Sequence, residues 1–364
     1  MSGKKQNGRI YICHTFYHAY IAVVKELVAR HENNAGADIM LSTMSNDFGN
    51  LKARLEKAGV FNHVYMFDEK EDVTSEEVMS YHRDRGNIIL NLLQRITYTK
   101  LLGKLQEPHI PTDLSKYKDV YVFCDSDPIG YYLNYKKIKY HAVEDGLNSG
   151  KLDDQARNAN RGAWPLKKAM AALGLIFIES GYSRYCLDYE VNDISANHSL
   201  PPNVVEIPRE ELNNRLSSDD HRLLANIFLP DPERIIGELL GDAKDTRPQV
   251  MILTEPLCEM DIRKKLFGDI IDMYKDEYRV IIKPHPRDVL DYGTEFPGVT
   301  VIRDKFPMEV LGDVEGFAVD KVVSVITQMD NTYFAKEIVY LGLDFLDKYE
   351  DPAIHRKTEN LDKE

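Results

Sequence analysis

Short β-rich runs alternate with amphipathic helical segments through the first half of the chain. The hydrophobic pattern predicts strands at residues 9–13, 39–42, 63–67, 120–124 and 139–143. Between them, apolar side chains at helical spacing predict helices at residues 19–30, 51–57, 87–102 and 129–136. Because helix-length segments separate the strands, we expect βαβ units and a parallel sheet.

The same alternation begins again after a polar interruption. Further strands are predicted at residues 250–254, 279–283, 299–302 and 321–325, with a helix between the first two. The pattern predicts an α/β protein with two Rossmann-like lobes whose parallel sheets face a central cleft. We place the N-terminal lobe at residues 1–198, a connector at 199–248, the C-terminal lobe at 249–349 and a charged tail at 350–364.

Composition narrows the class of protein. The 364 residues include 46 Lys and Arg against 59 Asp and Glu, and the formal charge of −13 disfavours nucleic-acid binding. Four cysteines lie far apart, so we expect no disulfide framework and a cytoplasmic location. The longest apolar run, residues 169–178, is about half the length that a membrane-spanning helix needs.

Common cofactor motifs are missing from the sequence. It contains no GxGxxG fingerprint, no GxxxxGK[ST] phosphate loop, no HExxH and no Cys/His cluster, so we expect neither a metal nor a resident cofactor. A competing motif is the pair Asp125 and Asp127 at a predicted strand end, which could hold a divalent metal on a nucleotide-sugar diphosphate. The two predicted βα arrays disfavour that metal-dependent transferase.

Ligands of open parallel sheets bind in loops at the carboxyl ends of strands, so those loops form the candidate site. Glu144, Asp145 and Gly146 follow the strand predicted to end at residue 143. Neighbouring carboxylates raise one another's pKa, which suits a general base that must take up a hydroxyl proton. A simple polar turn is the alternative interpretation of this tripeptide.

A histidine between two prolines follows the strand predicted to end at residue 283. The prolines restrict the directions in which the imidazole of His285 can point. With Lys283 and Arg287 nearby, such a histidine could bind and neutralise a phosphate leaving group. The alternative is a rigid surface turn.

Hydroxyl groups follow the last predicted strand. Ser324 and Thr327 precede a helix predicted to begin near Asp330 or Asn331. A helix N-terminus with nearby hydroxyls is a common phosphate site. Capping of that helix is the alternative role of these side chains.

The order of these loops resembles a known enzyme family. The EDG tripeptide, the KPHP loop and the downstream Ser/Thr element resemble the motifs of bacterial sialyltransferases. The opening segment YICHTFYHAYIA, which contains His14 and Thr15, is similar to the start of glycosyltransferase family 52. That family includes lipooligosaccharide sialyltransferases and some glucosyltransferases, and the resemblance extends from about Arg9 to Tyr340.

The resemblance implies a GT-B fold and metal-independent, inverting transfer of sialic acid. The implied donor is CMP-sialic acid, and the implied acceptor is a galactose-ended surface glycan of lipooligosaccharide or capsule. His285 and Pro286 match the HP motif, in which the histidine contacts the donor phosphate and can protonate it. The remaining candidate contacts to nucleotide or substrate are Lys283, Arg287, Ser324, Thr327, His14, Thr15 and Gly146.

The base that deprotonates the acceptor hydroxyl has two candidate positions. Glu144 and Asp145 match the acidic motif of the family. Glu259 and Asp261 are the rival pair, because they lie at a suitable distance before the HP loop. Their alternative role is to place negative charge at the start of a helix.

Other functions and partners remain open at this point. A UDP-hexose donor is the nearest alternative within the family, and a non-catalytic nucleotide-sugar or glycan-binding protein is the alternative outside catalysis. Family relatives can be dimers, so a homodimer is a further expectation.

Peripheral contact with the inner membrane is another expectation, since a membrane-near acceptor needs a docking surface. Basic and aromatic residues precede the apolar run 169–178 and suit an interfacial stretch: Arg157, Arg161, Trp164, Lys167 and Lys168. The alternative is an ordinary amphipathic helix that packs on its own lobe.

Overall fold

The fold is described by a computed structural model. It describes residues 7–32, 34, 36–44, 46–69, 78, 80–81, 83–147, 160, 162–197, 200–285, 287–327, 329 and 333–355. The chain divides into two compact units, Met1–Ile227 and Phe228–Glu364. Each unit is built on a parallel sheet with helices between its strands.

The first unit contains seven strands within the described residues. They are β1 (Asn7–Cys13), β2 (Ala37–Ser42), β3 (Val64–Phe67), β4 (Tyr117–Val122), β5 (Tyr140–Val143), β6 (Cys186–Val191) and β7 (Val204–Glu206). Their order in the sheet is β3-β2-β1-β4-β5-β6-β7, and all neighbours are parallel. This order is that of Rossmann-like folds, in which the chain builds outward from β1 in both directions.

Helices connect these strands. They are α1 (Phe16–His31), α2 (Leu51–Ala58), α3 (Ile88–Leu105), α4 (Pro128–Lys136), α5 (Trp164–Ala172), α6 (Arg209–Asn213) and α7 (Ser218–Phe228). Ile10, Ile12 and Val122 of the central strands are fully buried and pack with Ile129 and Leu133 of α4. Apolar runs in β1 and β4 therefore form strands because both faces of the sheet are covered.

The second unit repeats the arrangement on a smaller scale. Its described strands are β8 (Gln249–Leu253), β9 (Arg279–Lys283), β10 (Thr300–Val301), β11 (Val319–Ser324) and β12 (Ala335–Tyr340). They form a parallel sheet in the order β10-β9-β8-β11-β12. The helices are α8 (Pro232–Leu240), α9 (Met260–Tyr274), α10 (Tyr292–Glu295), α11 (Leu343–Leu346) and α12 (Pro352–His355).

The predicted connector and tail contain regular structure. Residues 199–248 hold β7 and helices α6 to α8, and the division between the units falls inside this range. Part of the tail that begins at residue 350 is helix α12.

One predicted helix differs from the structure. Asp330 and Asn331, where it was placed, lie outside the described residues. The next described residues, Tyr333 and Phe334, form a turn, and β12 begins at Ala335. The chain therefore returns to the sheet as a strand, because β11 pairs with β12 from Val319 onward.

None of the described helices combines the length and the hydropathy needed to cross a bilayer. All four cysteines are free.

Candidate active site

Polar side chains meet at the carboxyl ends of β1, β3 and β4 in the first unit. His14, which follows β1, is buried, and its Nε2 lies 2.7 Å from Oε1 of Glu69 and 3.4 Å from Oδ2 of Asp127. Because an ionised carboxylate only accepts hydrogen bonds, this nitrogen carries the proton. The other oxygen of Glu69 accepts from the backbone N–H of Ile129 at 2.8 Å. A buried histidine is thus held between two carboxylates.

A second histidine links this cluster to the acidic loop. Nδ1 of His18 accepts from the backbone N–H of His14 at 3.1 Å, so the neutral ring carries its proton on Nε2. That Nε2 lies 2.6 Å from the carbonyl oxygen of Asp145 and 3.1 Å from its Oδ1. His18 therefore positions both the backbone and the side chain of Asp145, which is 62% exposed.

Burial and neighbouring charge change the pKa values of this cluster in opposite directions. Burial by itself would lower the pKa of His14, but the carboxylate of Glu69 outweighs it and the pKa is raised. Burial is the main reason that the pKa of Asp127 is raised. The expectation that the paired carboxylates raise the pKa is wrong for Asp145: the hydrogen bond from His18 lowers it, so this side chain is a carboxylate at neutral pH.

The structure separates the two acids of the EDG tripeptide. Glu144 is 1% exposed; its Oε1 accepts from the N–H of Asn192 at 2.9 Å and lies 3.6 Å from Nη2 of the buried Arg209. A carboxylate in this position joins neighbouring strand-end loops and does not reach a substrate hydroxyl. Of the two acids, Asp145 is therefore the one that remains a candidate base.

The 125–127 segment does not present both of its carboxylates to a ligand. Asp125 is buried; Oδ1 accepts from the N–H of Ser180 at 2.6 Å, and Oδ2 accepts from the hydroxyl of Tyr140 at 2.9 Å. Burial raises the pKa of Asp125 to about 6. Because protein donors occupy both oxygens, the pair is not arranged to bind a divalent metal. No group of three or more metal-binding side chains occurs in the described part of the chain.

Thr15 and Gly146 were also predicted to contact a ligand, but their local structure is explained without one. Oγ1 of Thr15 accepts from the N–H of His18 at 3.1 Å and caps α1. A Cβ added to Gly146 would meet no described atom within 4 Å, so no close approach requires glycine there.

In the second unit, a chain of hydrogen bonds fixes the loop after β9. The N–H of His285 donates to Oγ1 of Thr254 at 3.3 Å, and Thr254 donates to Oδ2 of Asp288 at 2.7 Å. Asp288 also accepts from the hydroxyl of Tyr292 at 2.8 Å and pairs with Arg263 at 2.9 Å. The main chain at His285 is therefore positioned by side chains from three other segments.

Within the described residues, Nδ1 of His285 has a hydrogen-bond partner and Nε2 has none. Nδ1 accepts from the N–H of Arg287 at 3.1 Å, so the neutral ring carries its proton on Nε2. Partial burial and then the positive charge of Arg287 lower the pKa of His285. At neutral pH the ring is a neutral hydrogen-bond donor. Pro286 lies outside the described residues.

Lys283 is in the interior, away from the loop surface. Its Nζ donates to the carbonyl oxygen of Asp304 at 2.9 Å and lies 4.4 Å from the centre of the Phe306 ring. Burial lowers the pKa of Lys283 to about 8. This arrangement does not place Lys283 at a phosphate, whereas Arg287 is exposed at the loop surface.

A buried carboxylate occupies backbone donors of the loop after β11. Glu255 accepts from the N–H groups of Ile326 at 3.0 Å and Thr327 at 2.6 Å. Ser324 is fully buried and donates to the carbonyl oxygen of Thr327 at 2.9 Å. The hydroxyl of Ser324, which was predicted to contact a phosphate, and the neighbouring backbone N–H groups are thus used within the protein itself.

The rival base pair lies at the start of α9. Glu259 occupies the N-cap position without a side-chain capping bond, and Asp261 lies in the first helical turn. Both side chains are exposed, and the helix N-terminus favours their negative charge. The exposed acids among the predicted bases are therefore Asp145, Glu259 and Asp261.

Several residues of these networks are not among the site residues predicted from the sequence. Asp288 directly follows the HP loop and His18 lies four residues after His14, so local spacing contained a signal for both. Glu69 and Glu255 give no such signal, because their partners are distant along the chain, at Ile129 and at residues 326–327.

Solved structures share this fold. A Photobacterium 2,6-sialyltransferase, solved with the donor product CMP and the acceptor lactose, is 12% identical, with a TM-score of 0.55 over 92% of this chain and 71% of that one. The GT-B domain of a Photobacterium damselae sialyltransferase is 14% identical, with a TM-score of 0.50 over 92% and 90% of the two chains. These likenesses confirm the expected GT-B fold of two parallel-sheet α/β units.

A curated relative matches a shorter stretch. An uncharacterized protein of Haemophilus influenzae is 32% identical over 97 residues, which are 25% of this chain. The match spans 31% of that protein's length.

The family model for glycosyltransferase family 52 matches residues 62–328, which is more than half of the chain. The matched range includes the acidic loop, the loop at His285 and the segment after β11. The resemblance inferred from the motifs is confirmed, and the chain belongs to glycosyltransferase family 52.

Proposed function

We propose that the protein is a metal-independent, inverting sialyltransferase that transfers sialic acid from CMP-sialic acid to a galactose-ended surface glycan. Membership of glycosyltransferase family 52 supports the reaction class. The shared fold with a sialyltransferase solved with CMP and lactose supports the donor and acceptor classes. The observation that carries the proposal is the imidazole of His285, positioned at a strand end, whose Nε2 proton has no hydrogen-bond partner among the described residues.

In this mechanism the two ends of the reaction use different groups. Nε2 of His285 donates to the departing CMP phosphate as negative charge develops there. An exposed carboxylate removes the proton of the acceptor hydroxyl as its oxygen attacks the anomeric carbon. Asp145, positioned by His18, and the pair Glu259 and Asp261 are the groups exposed for this role.

Single amide variants distinguish the candidate bases. We expect the one of Asp145→Asn, Glu259→Gln and Asp261→Asn that removes the base to lower kcat on the order of 10²-fold or more, because general base catalysis contributes at least that much. The other two variants should keep kcat within a few-fold of the wild type. Glu144→Gln is a control for the same loop and should change the melting temperature rather than the chemistry. Wild-type turnover in all three base variants would contradict the mechanism.

The donor class is tested by ligand-induced stabilisation. A ligand that binds the folded state raises the melting temperature by mass action, so a thermal-shift screen with CMP, UDP and GDP ranks the nucleotides. We expect a selective rise with CMP, and transfer from CMP-sialic acid to lactose. A selective rise with UDP would favour the hexose-transferase alternative. Nucleotide binding without turnover would favour the non-catalytic alternative.

For peripheral membrane contact, the supporting surface lies mainly on α3. Ala171 and residues 176–178 of the apolar run are fully buried, whereas Leu173 is 64% and Leu175 is 40% exposed, so the run expected to dock packs only in part inside its own unit. Arg157 and Arg161 lie outside the described residues. The exposed apolar side chains at the start of α3 are Ile88, Ile89, Leu90 and Leu93, here called the α3 patch.

Charge around the α3 patch favours an anionic membrane. Residues 85–106 include four Lys and Arg residues and no acidic residue, in a chain of net charge −13. Basic residues beside exposed apolar side chains are typical of interfacial helices. We therefore propose that this patch docks on anionic lipid at the cytoplasmic face of the membrane, where the glycan acceptor is held. A homodimer is also proposed, and light scattering of the purified chain measures it.

A further inference from the structure

A large cavity lies in the first unit, lined by residues outside the strand-end clusters. Its volume is about 970 Å³, within the range of small-molecule sites. The loop before α3, the first turns of α3, Tyr131 of α4 and Lys167 of α5 line it. Neither His14 nor Asp145 is among the lining residues.

We propose that this cavity binds an acidic sugar unit, phosphorylated or carboxylated, of the acceptor glycan beyond the galactose that receives sialic acid. The inference rests on the proposed function, because it assigns a second subsite for the same acceptor. It is argued from the rigidity of the cavity wall, its aromatic side chains and its charge.

The wall of the cavity is built before a ligand arrives. The amide of Asn91 donates to Asp84 at 2.6 Å and accepts from the N–H of Arg85 at 2.9 Å. The amide of Gln94 donates to the carbonyl oxygens of Tyr81 and Arg83. Two side chains of α3 therefore fasten the preceding loop to the helix, which reduces the entropy cost of ordering it on binding.

Aromatic side chains provide flat apolar surface in the same cavity. The rings of Tyr98 and Tyr131 meet edge to face, with centroids 5.6 Å apart, and Tyr81 lies on the opposing loop. Sugar rings have apolar C–H faces and polar edges, and an aromatic wall with polar groups around it suits both.

The charge of the described lining residues is positive. They include the cations Arg83, Arg95 and Lys167 and one acid, Asp84, whose Oδ1 already accepts from Asn91 and from the N–H of Gly86. Among the described residues, no carboxylate lies within ion-pair distance of Arg95. Arg95 donates to the carbonyl oxygen of Phe177 at 3.3 Å and Lys167 to that of Asn160 at 3.4 Å, and both acceptors are neutral. Burial and then the charge of Arg95 lower the pKa of Lys167, so the two cations repel each other. An anion at this wall of the cavity would relieve that repulsion and form charge-assisted hydrogen bonds.

The single tryptophan gives a direct readout of binding. Trp164 lies in the same helix as Lys167 and one turn before it. We expect its fluorescence to change on titration with hexose 6-phosphate or hexuronic acid, and not with a neutral hexose. Inorganic phosphate, which has the charge without the sugar, should bind at least tenfold more weakly than hexose 6-phosphate. A phosphate preference and a carboxylate preference are separated by the two acidic sugars.

Matched variants test the assignment to this cavity. Arg95→Gln and Lys167→Gln should each weaken acidic-sugar binding on the order of tenfold, as expected for a lost charge-assisted hydrogen bond. Lys168→Gln, at the exposed neighbour outside the cavity, and Lys100→Gln, on the exposed side of α3, should leave it unchanged. Melting temperatures of the four variants identify any loss of folding.

The result that overturns the inference is equally direct. Equal binding of neutral and acidic hexoses, equal binding of inorganic phosphate, or unchanged binding in both Arg95→Gln and Lys167→Gln would each refute it. Failure of the proposed function looks different: acidic sugars would still bind at this cavity, but no sialic acid would be transferred to lactose.

Discussion

Two side chains in the second unit show how burial decides the chemistry of single residues. His285 is half-buried, keeps one nitrogen available and has a lowered pKa. Lys283, two residues earlier, is buried against Phe306 and has a structural role. Sequence spacing predicts a phosphate contact for both residues. Only one of them reaches the loop surface, because residues at the end of a strand alternate between core and loop within one or two positions.

The lowered pKa of His285 predicts a proton linkage to CMP binding. A phosphate beside the ring favours the imidazolium form and should raise the pKa, so binding takes up a proton. CMP affinity should therefore increase as pH falls through the interval between the pKa of the free and the bound protein. Calorimetry in buffers of different ionisation enthalpy measures this uptake.

Two controls isolate the contribution of His285 to that linkage. Cytidine has no phosphate and should show no proton uptake, and His285→Gln should lose the uptake seen with CMP. Equal uptake in wild type and His285→Gln would assign the proton to the nucleotide itself and contradict the prediction.

The buried Lys283 predicts an unusual dependence of stability on pH. Its pKa is about 8 in the folded state against 10.5 for the unfolded side chain. Between these values the unfolded state binds the extra proton, so the free energy of unfolding rises with pH. Relative to Lys283→Met, the wild type should gain up to about 3 kcal/mol between pH 7 and pH 10.5. Urea denaturation at pH 7, 8.5 and 10 measures it.

The Lys283→Met variant also tests the phosphate role predicted from the motif. Because the ammonium group contacts Asp304 and Phe306, we expect CMP affinity to change by less than about threefold. Loss of CMP binding in a folded variant, or a parallel pH profile of stability, would show that Lys283 is not the buried structural cation described above.

At the scale of elements, the two halves of α3 differ in their surroundings. Its later turns are fastened to the first unit, since Arg95 donates to the carbonyl oxygen of Phe177 and Thr99 accepts from the N–H of Phe177. Its first turns extend into solvent, with Ile89 at 64% and Leu93 at 56% exposed. Exposed apolar side chains in a continuous helical turn indicate a surface for a partner.

We expect Ile89→Asp/Leu93→Asp to reduce flotation with anionic liposomes at least tenfold, because the change removes buried apolar area and adds charge opposed to the lipid. Activity on soluble lactose should stay within twofold of the wild type, since neither residue lies in the candidate active site. The matched control is Val289→Asp, at an exposed apolar residue of the second unit. Flotation unaffected by the α3 variant, or reduced equally by the control, would refute the docking role.

At the scale of the whole molecule, the two parallel sheets follow directly from the sequence. Central strands such as β1, β4, β8 and β9 contain buried apolar stretches, and they occur where the pattern predicts them. Strands β6, β7 and β12, which lie at or near sheet edges, are not predicted from the sequence. Ile338 and Tyr340 of β12 are exposed, as are the charged residues Lys336 and Glu337 before them, so burial gives no clear period there.

The candidate site is predictable to the level of loops and less so to the level of atoms. Strand ends identify the loops at Asp145, His285 and Thr327 because parallel topology requires it. Which acid of a neighbouring pair is buried depends on partners that are distant along the chain, as the contact between Glu144 and Arg209 shows. The fold brings such partners together, and their spacing along the chain does not indicate the contact.

The whole-molecule prediction concerns metal ions. With Asp125 engaged by Ser180 and Tyr140, we expect full transfer activity in excess EDTA and wild-type turnover within about threefold in Asp127→Asn. The assay is transfer from CMP-sialic acid to lactose with and without added Mg²⁺ or Mn²⁺. Loss of activity in EDTA, restored by either ion, would require a metal site that this arrangement does not form.

The carboxylate of Glu255 is a hydrogen-bond acceptor within the protein for the loop after β11. Because it accepts from the amides of Ile326 and Thr327, the conformation of that loop does not depend on a bound substrate. Shortening this one side chain would leave the same amides open to a solute anion. A single substitution at Glu255 would thus change a loop whose amides bind a protein carboxylate into one that binds a solute anion. Relatives of this chain could acquire a new specificity at that position without a change in either sheet.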